Sequence, residues 1–237
     1  LNNPPDRFHF LSRKNCFSIP VDGETKIEMR NPWHRIPASD YEGHMGHPNV
    51  GQLSFLARTF QEAMDAGDAT TIALLGCATG NGLEYVKPER TKRVTAVDIN
   101  AEYLHILRQR YARYIPGLEA VEADLSVCDL EERAYSLIYA GLLFEYINPQ
   151  ILLPRIARWL QPDGLMVAVL QLPANSHLKN VSETPFLSLK LLESVMLLVS
   201  PEEMKSAAEG AGLREVQAIN VTLKSGKSFF IGTYAKA

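Results

Sequence analysis

Cysteine is scarce: Cys16, Cys77 and Cys128 are the only three in 237 residues, an odd number at wide spacing. That excludes a disulfide scaffold and fits a reducing compartment, so a cytoplasmic protein is expected. Excess charge of either sign is also lacking. Twenty-four basic and 27 acidic residues leave a formal net charge of −3, and binding to nucleic acid or anionic lipid, which needs clustered positive charge, is not expected. Long apolar runs are missing too. The longest, 186–199, is interrupted by Lys190 and Glu193 and is too short to cross a bilayer. The start carries no basic stretch followed by an apolar one, the pattern of a secretory leader. Internal repeats and low-complexity tracts are absent. His44 and His47 stand three residues apart without Cys or carboxylates at ligand spacing, so no metal is expected. What is present is ordinary: 46% hydrophobic and 22% charged residues, enough for one large domain.

The first 47 residues are rich in proline and hold four of the six histidines. They read as an irregular arm, with the core covering 48–237. A helix is predicted over 50–66, where Leu53, Leu56, Ala57, Phe60, Ala63 and Met64 recur at helical spacing before Gly67. From Thr71 onward strands and helices alternate. Strands are predicted over 71–75, 93–98, 118–122, 136–140 and 165–170, with helices over 101–114 and 149–160, the second disturbed by Pro154. The turn Pro162-Asp163-Gly164 precedes the last of these strands. Ser200-Pro201-Glu202-Glu203 is a capping box. Two strands follow, 213–223 and 227–234, joined through Ser225-Gly226 as a two-residue hairpin. The fold predicted is α/β: a doubly wound, mostly parallel seven-stranded sheet in three layers, closed by a C-terminal antiparallel hairpin strand.

In such a sheet, ligands bind at the carboxyl ends of the strands, where the strand order reverses. After the first strand come Gly76-Cys77-Ala78-Thr79-Gly80-Asn81-Gly82, whose glycines permit positive φ and close approach of backbone to a ligand. The second strand ends in Asp98, whose carboxylate can accept two hydrogen bonds from vicinal ribose hydroxyls. Glu122-Ala123-Asp124-Leu125 follows the third, and Ala140-Gly141-Leu142 the fourth. The bland readings are a tight turn at the glycines, a helix cap at Asp98 and an Asx turn at Asp124.

With these residues the chain resembles the class I S-adenosylmethionine (SAM) dependent methyltransferases, over about 70–236. I-A-L-L-G-C-A-T-G-N-G (72–82) matches the glycine-rich first motif, and V-D (97–98) the ribose-binding acid. E-A-D-L (122–125) matches the adenine-binding stretch, S-L-I-Y-A-G-L-L-F-E-Y-I (136–147) the fourth-strand motif, and L-Q-P-D-G-L (160–165) the turn before the fifth strand. The resemblance implies SAM as cofactor and S-adenosylhomocysteine (SAH) as product, held by Gly76, Cys77, Ala78, Gly80, Asp98, Ile99, Asp124, Leu125, Ala140 and Gly141. Two positions depart from the pattern. Leu74 stands where the family carries an acid, and Ala78 where it carries a glycine. An alanine held left-handed there is strained by about 1 kcal/mol.

The function expected is methyl transfer to a small or medium-sized acceptor by direct displacement. The protein must then align the nucleophile and exclude water, and a base is needed only for a protonated nucleophile. His44 is the first candidate base and Glu145 the second; Tyr41, His44 and Tyr146 are candidate substrate contacts, with residues 40–47 as a flap over the site. The apolar segment 184–199 reads as a helix within an insertion over about 172–200, packing as core or cap or making a homodimer. Two alternatives stay open: a SAM- or SAH-binding regulatory protein of the same fold without methyl transfer, and an NAD-dependent dehydrogenase.

Overall fold

Short apolar runs bounded by turns form buried parallel strands, because a strand covered on both faces needs apolar side chains on each. A computed structural model describes residues 31–173 and 180–237. Cys16, most of the proline-rich arm and part of the insertion lie outside the described residues. The strands are β1 (Thr71–Leu75), β2 (Arg93–Asp98), β3 (Leu118–Glu122), β4 (Tyr135–Gly141), β5 (Leu160–Gln171), β6 (Leu213–Thr222) and β7 (Ser228–Lys236). The helices are α1 (Ala38–Gly46), α2 (Gln52–Ala66), α3 (Ala101–Tyr111), α4 (Pro149–Trp159) and α5 (Pro201–Gly210). One seven-stranded sheet has the order β3-β2-β1-β4-β5-β7-β6. β7 runs antiparallel to both β5 and β6, and the remaining pairs are parallel.

Alternate residues of each strand point to opposite faces, and the core divides accordingly. Ile72 and Leu74 pack with Phe60 of α2 and Leu104 and Leu107 of α3. Ala73 and Leu75 pack with Ile156 and Trp159 of α4 and Met204 of α5. That gives the three layers expected. The order reverses between β1 and β4, which opens a crevice at their carboxyl ends.

The structure corrects five local expectations. Residues 38–46 form a helix rather than irregular chain. Tyr41, His44 and Met45 recur at helical spacing on its inner side, and Gly43 lets the Phe186 ring pack against the helix. A Cβ at Gly43 would lie 2.2 Å from the Phe186 ring. Among the described residues the β1–β2 crossover holds only the 3-10 turn Leu83–Tyr85 instead of a helix. β5 begins at Leu160, and Pro162-Asp163-Gly164 lies inside it as an irregularity, with Tyr135 paired to Leu160 and Leu137 to Leu165. The 184–199 segment is a 3-10 helix, Leu187–Ser194, not an α-helix. Its three-residue period turns Leu189 and Leu192 inward, while Leu187 is 64% exposed and Leu197 lies in solvent beyond it. Finally, Leu223 N–H donates to Lys227 C=O at 2.8 Å, so the hairpin loop has three residues, with Gly226 at φ +84°. Among the described residues no helix is long and apolar enough to cross a membrane.

Candidate active site

The chain leaves β1 through Gly76 (φ +65°) into a loop in which Ala78 takes φ +46°. Left-handed alanine costs about 1–2 kcal/mol, and the compensation is visible. The Ala78 N–H donates to Asp98 Oδ2 at 2.8 Å, and Asn100 N–H donates to Oδ1 at 2.9 Å. Asp98, at the end of β2, therefore fixes the loop and the start of α3 together. Burial pushes its carboxyl up, opposed by these N–H donors. Asn100 caps α3 and donates to Trp33 C=O at 2.9 Å, tying the residues before α1 to this end of the sheet.

Asp124 makes the Asx turn of its bland reading, accepting Ser126 N–H at 2.8 Å. It also lines the cavity that opens over the strand ends, beside Leu125. This cavity, of about 230 Å³, runs from Asp98, Ile99 and Asp124 on one side to the ends of β4 and β5 on the other. Gly76, Ala78, Gly141, Tyr41, His44, Glu145 and Tyr146 all line it as well. Cys77, Gly80 and Ala140 are not lining residues. Cys77 and Ala140 are packed in the two halves of the core, and a Cβ at Gly80 (φ +92°) would crowd Tyr111, Leu83 and Leu107. Leu74 is buried under α2. Leu142 is a second left-handed residue on the wall, at φ +56°, and such strain collects where a site over-determines the backbone.

α1 lines the cavity through Tyr41, His44 and Met45 and is held by long-range contacts. Glu42 accepts Thr79 Oγ1–H at 2.5 Å and pairs with Arg110 of α3. Asp40 accepts Ser188 Oγ–H at 2.6 Å. His44 Nδ1 lies 2.9 Å from Thr184 Oγ1. Rings of Trp33, Tyr41, Tyr103 and Tyr146 meet edge-on or tilted beneath it, with centroids 5.0–6.2 Å apart. Trp33, Tyr103, Gln52, Gln171 and Lys227 line the cavity too. Sequence reasoning passed over these five, because each stands alone in its local pattern.

Two titratable groups on the β4 side differ in kind. His44 is pulled down to about 4 by burial, helped by the Lys227 charge and by His47, so it is a neutral imidazole at pH 7. Glu145 is 1% exposed. Its Oε1 accepts Gln171 N–H at 2.6 Å, and Oε2 is buried without a partner among the described residues. Burial pushes this carboxyl up to about 7.

That shift predicts a pH effect on stability. A raised carboxyl favours the folded chain while it holds its proton, and this contribution is lost as pH rises from the ordinary glutamate value through about 7. The loss is on the order of 3 kcal/mol. Glu145→Gln, which cannot ionise, escapes it. Thermal melts should therefore show the variant gaining on the wild type between pH 5 and pH 8. A constant difference would show that Glu145 does not titrate there. His44 acts in the opposite sense but is common to both proteins.

Residues 72–164 match the family model described as a methyltransferase domain. Among solved structures, the [4+2]-cyclase SpnF shares 12% identity at a TM-score of 0.61, with 77% of this chain and 80% of that one covered. A SAM-dependent methyltransferase from Mesorhizobium loti shares 16% at 0.62, covering 77% and 99%. Geranyl diphosphate C-methyltransferase from Streptomyces coelicolor A3(2), solved with Mg2+, geranyl diphosphate and SAH, shares 13% at 0.60, covering 82% and 88%. A search of curated protein sequences returns no match. These structures carry more than one reaction, so likeness to them establishes the fold alone. The chain is thus similar to a methyltransferase domain over 72–164, where the strand order brings the glycine loop and Asp98 to one end of the sheet.

Proposed function

We propose that SAM lies across the ends of β1, β2 and β3, and that its methyl group points toward the β4 side, where a small or medium-sized acceptor binds. Asp124 and Leu125 would flank the adenine and Asp98 the ribose, each Asp98 oxygen having a lone pair beyond its backbone bond. Gly76 and Ala78 would pass beneath the methionine portion. Leu74 offers no charge to the donor's ammonium; Tyr41 and Gln52 are polar residues of the cavity lining.

In the transfer, the acceptor's lone pair forms a bond to the methyl carbon as the carbon–sulfur bond breaks. The electron pair stays on sulfur, giving SAH. A hydroxyl or ammonium acceptor must also lose a proton, and Glu145 Oε2 is the group we assign to take it. The single observation supporting this is the unpaired carboxylate oxygen buried on the cavity wall. A base near neutrality is best matched to that task. His44, the first candidate from the sequence, is too weakly basic. Its Nδ1 is engaged by Thr184, which leaves Nε2 to hydrogen-bond the acceptor. Leu56, Leu143, Val181 and Met196 supply apolar surface for the acceptor's body.

The test is incubation with methyl-labelled SAM and a panel of hydroxyl- and amine-bearing apolar molecules of graded size. Label should appear in an acceptor with an equal amount of SAH. Binding of SAM without SAH formation against the whole panel would instead favour a regulatory protein.

A further inference from the structure

Lys227 has no place in the transfer just described, yet it is 4% exposed and lines the same cavity. It stands between the hairpin loop and β7, at the edge where β5 ends. Its ammonium donates to Gln171 Oε1 at 3.2 Å and to the Asn180 carbonyl at 2.5 Å. Both acceptors are neutral, and among the described residues no carboxylate lies within ion-pair distance. An ammonium has three protons to donate, and two are used. Burying a charge without a counter-ion is expensive, and the hairpin does not require it, since Gly226 makes the left-handed turn.

The frame around the ammonium is buried and hydrogen-bonded. Gln171 Oε1 also accepts Gln52 Nε2–H at 3.1 Å, and Gln171 Nε2–H donates to Asn180 C=O at 2.9 Å. Gln52 and Gln171 are 4% and 3% exposed. Lys227 and His44 line the same cavity, and after burial the Lys227 charge is the largest influence on that imidazole.

We propose that Lys227 is the anion site of the acceptor pocket: the acceptor carries a carboxylate or phosphate group that pairs with this ammonium, while its apolar body lies along Leu189 and Leu192. This rests on the reading that the acceptor occupies the β4–β5 side of the cavity. The acceptor is then an amphipathic acid, with its anionic head at Lys227 and its nucleophile toward Glu145.

Octanoate, octyl phosphate and octanamide, each titrated into the protein saturated with SAH, separate the head groups on one apolar body. At least one anion should bind about tenfold or more tighter than the amide, the effect of one charge-assisted hydrogen bond. Lys227→Met should abolish that preference and Lys227→Arg should keep it. The methionine variant leaves Gln171 Oε1 with Gln52 and Asn180 C=O with Gln171, and unchanged SAH affinity would certify its fold. Equal affinity for all three probes, or a preference that survives in Lys227→Met, overturns the proposal. Failure of SAH to bind the wild type would count against the methyltransferase reading instead, and the same three probes on the free protein would still decide the role of Lys227.

Discussion

Replacing Glu145 with glutamine is expected to lower methyl transfer by about 10²–10⁴-fold, the range for losing a general base, with SAH affinity unchanged. The substitution keeps the shape of the side chain. The amide oxygen can still accept the Gln171 N–H that now bonds Oε1 at 2.6 Å. What disappears is the basic Oε2, buried and unpartnered on the cavity wall. The pH profile separates this role from a structural one. Wild-type turnover should rise with a midpoint near pH 7, where burial has placed the carboxyl, and the glutamine variant should lose that limb. Glu145→Asp keeps the charge but withdraws it, so it should retain the limb at reduced rate. Wild-type turnover in Glu145→Gln would remove Glu145 from the chemistry.

Asp98→Ala is expected to weaken SAM binding by about 1.5–3 kcal/mol, the range for a hydrogen bond to a charged group, or roughly ten- to a hundredfold. A second loss accompanies it. The Ala78 and Asn100 N–H groups both donate to this carboxylate, and an unsatisfied buried donor costs about 1–3 kcal/mol. Ala78 would be left in its left-handed conformation without the bond that holds it there. The variant should therefore melt lower as well as bind more weakly. Asp98→Asn retains one acceptor oxygen and should fall between. Titration calorimetry with SAH and thermal melts of the three proteins measure the two effects. Unchanged affinity in Asp98→Ala would place the ribose elsewhere.

The sheet was readable because strands such as β1 and β2 are short apolar runs closed by Gly76 and Asp98, a signal contained within each run. Gly76, Ala78, Asp98, Ile99, Asp124, Leu125 and Gly141 were legible as cavity-lining residues for the same reason, since they lie at or directly after strand ends. The acceptor side depends on distant contacts. α1 escaped detection because its inner face is Tyr41, His44 and Met45 among two glycines, a weak apolar stripe. Thr184 and Ser188, at separations of 140 and 148 residues, supply what holds it. Lys227 read as no more than the first residue of the last strand, since its burial comes from Gln171 and Asn180. The 187–194 segment looked like a helix because apolar content was legible and its three-residue period was not. Glu145 and His44 could be named as bases from position, but ranking them required their burial and their neighbours.

The central claim is that the cavity over β1, β2 and β4 is a SAM site. Calorimetric titration of SAH into the purified chain tests it most directly. The account predicts saturable binding of one SAH per chain, displaced by SAM and weakened in Asp98→Ala. A folded protein that takes up neither SAH nor SAM would contradict it.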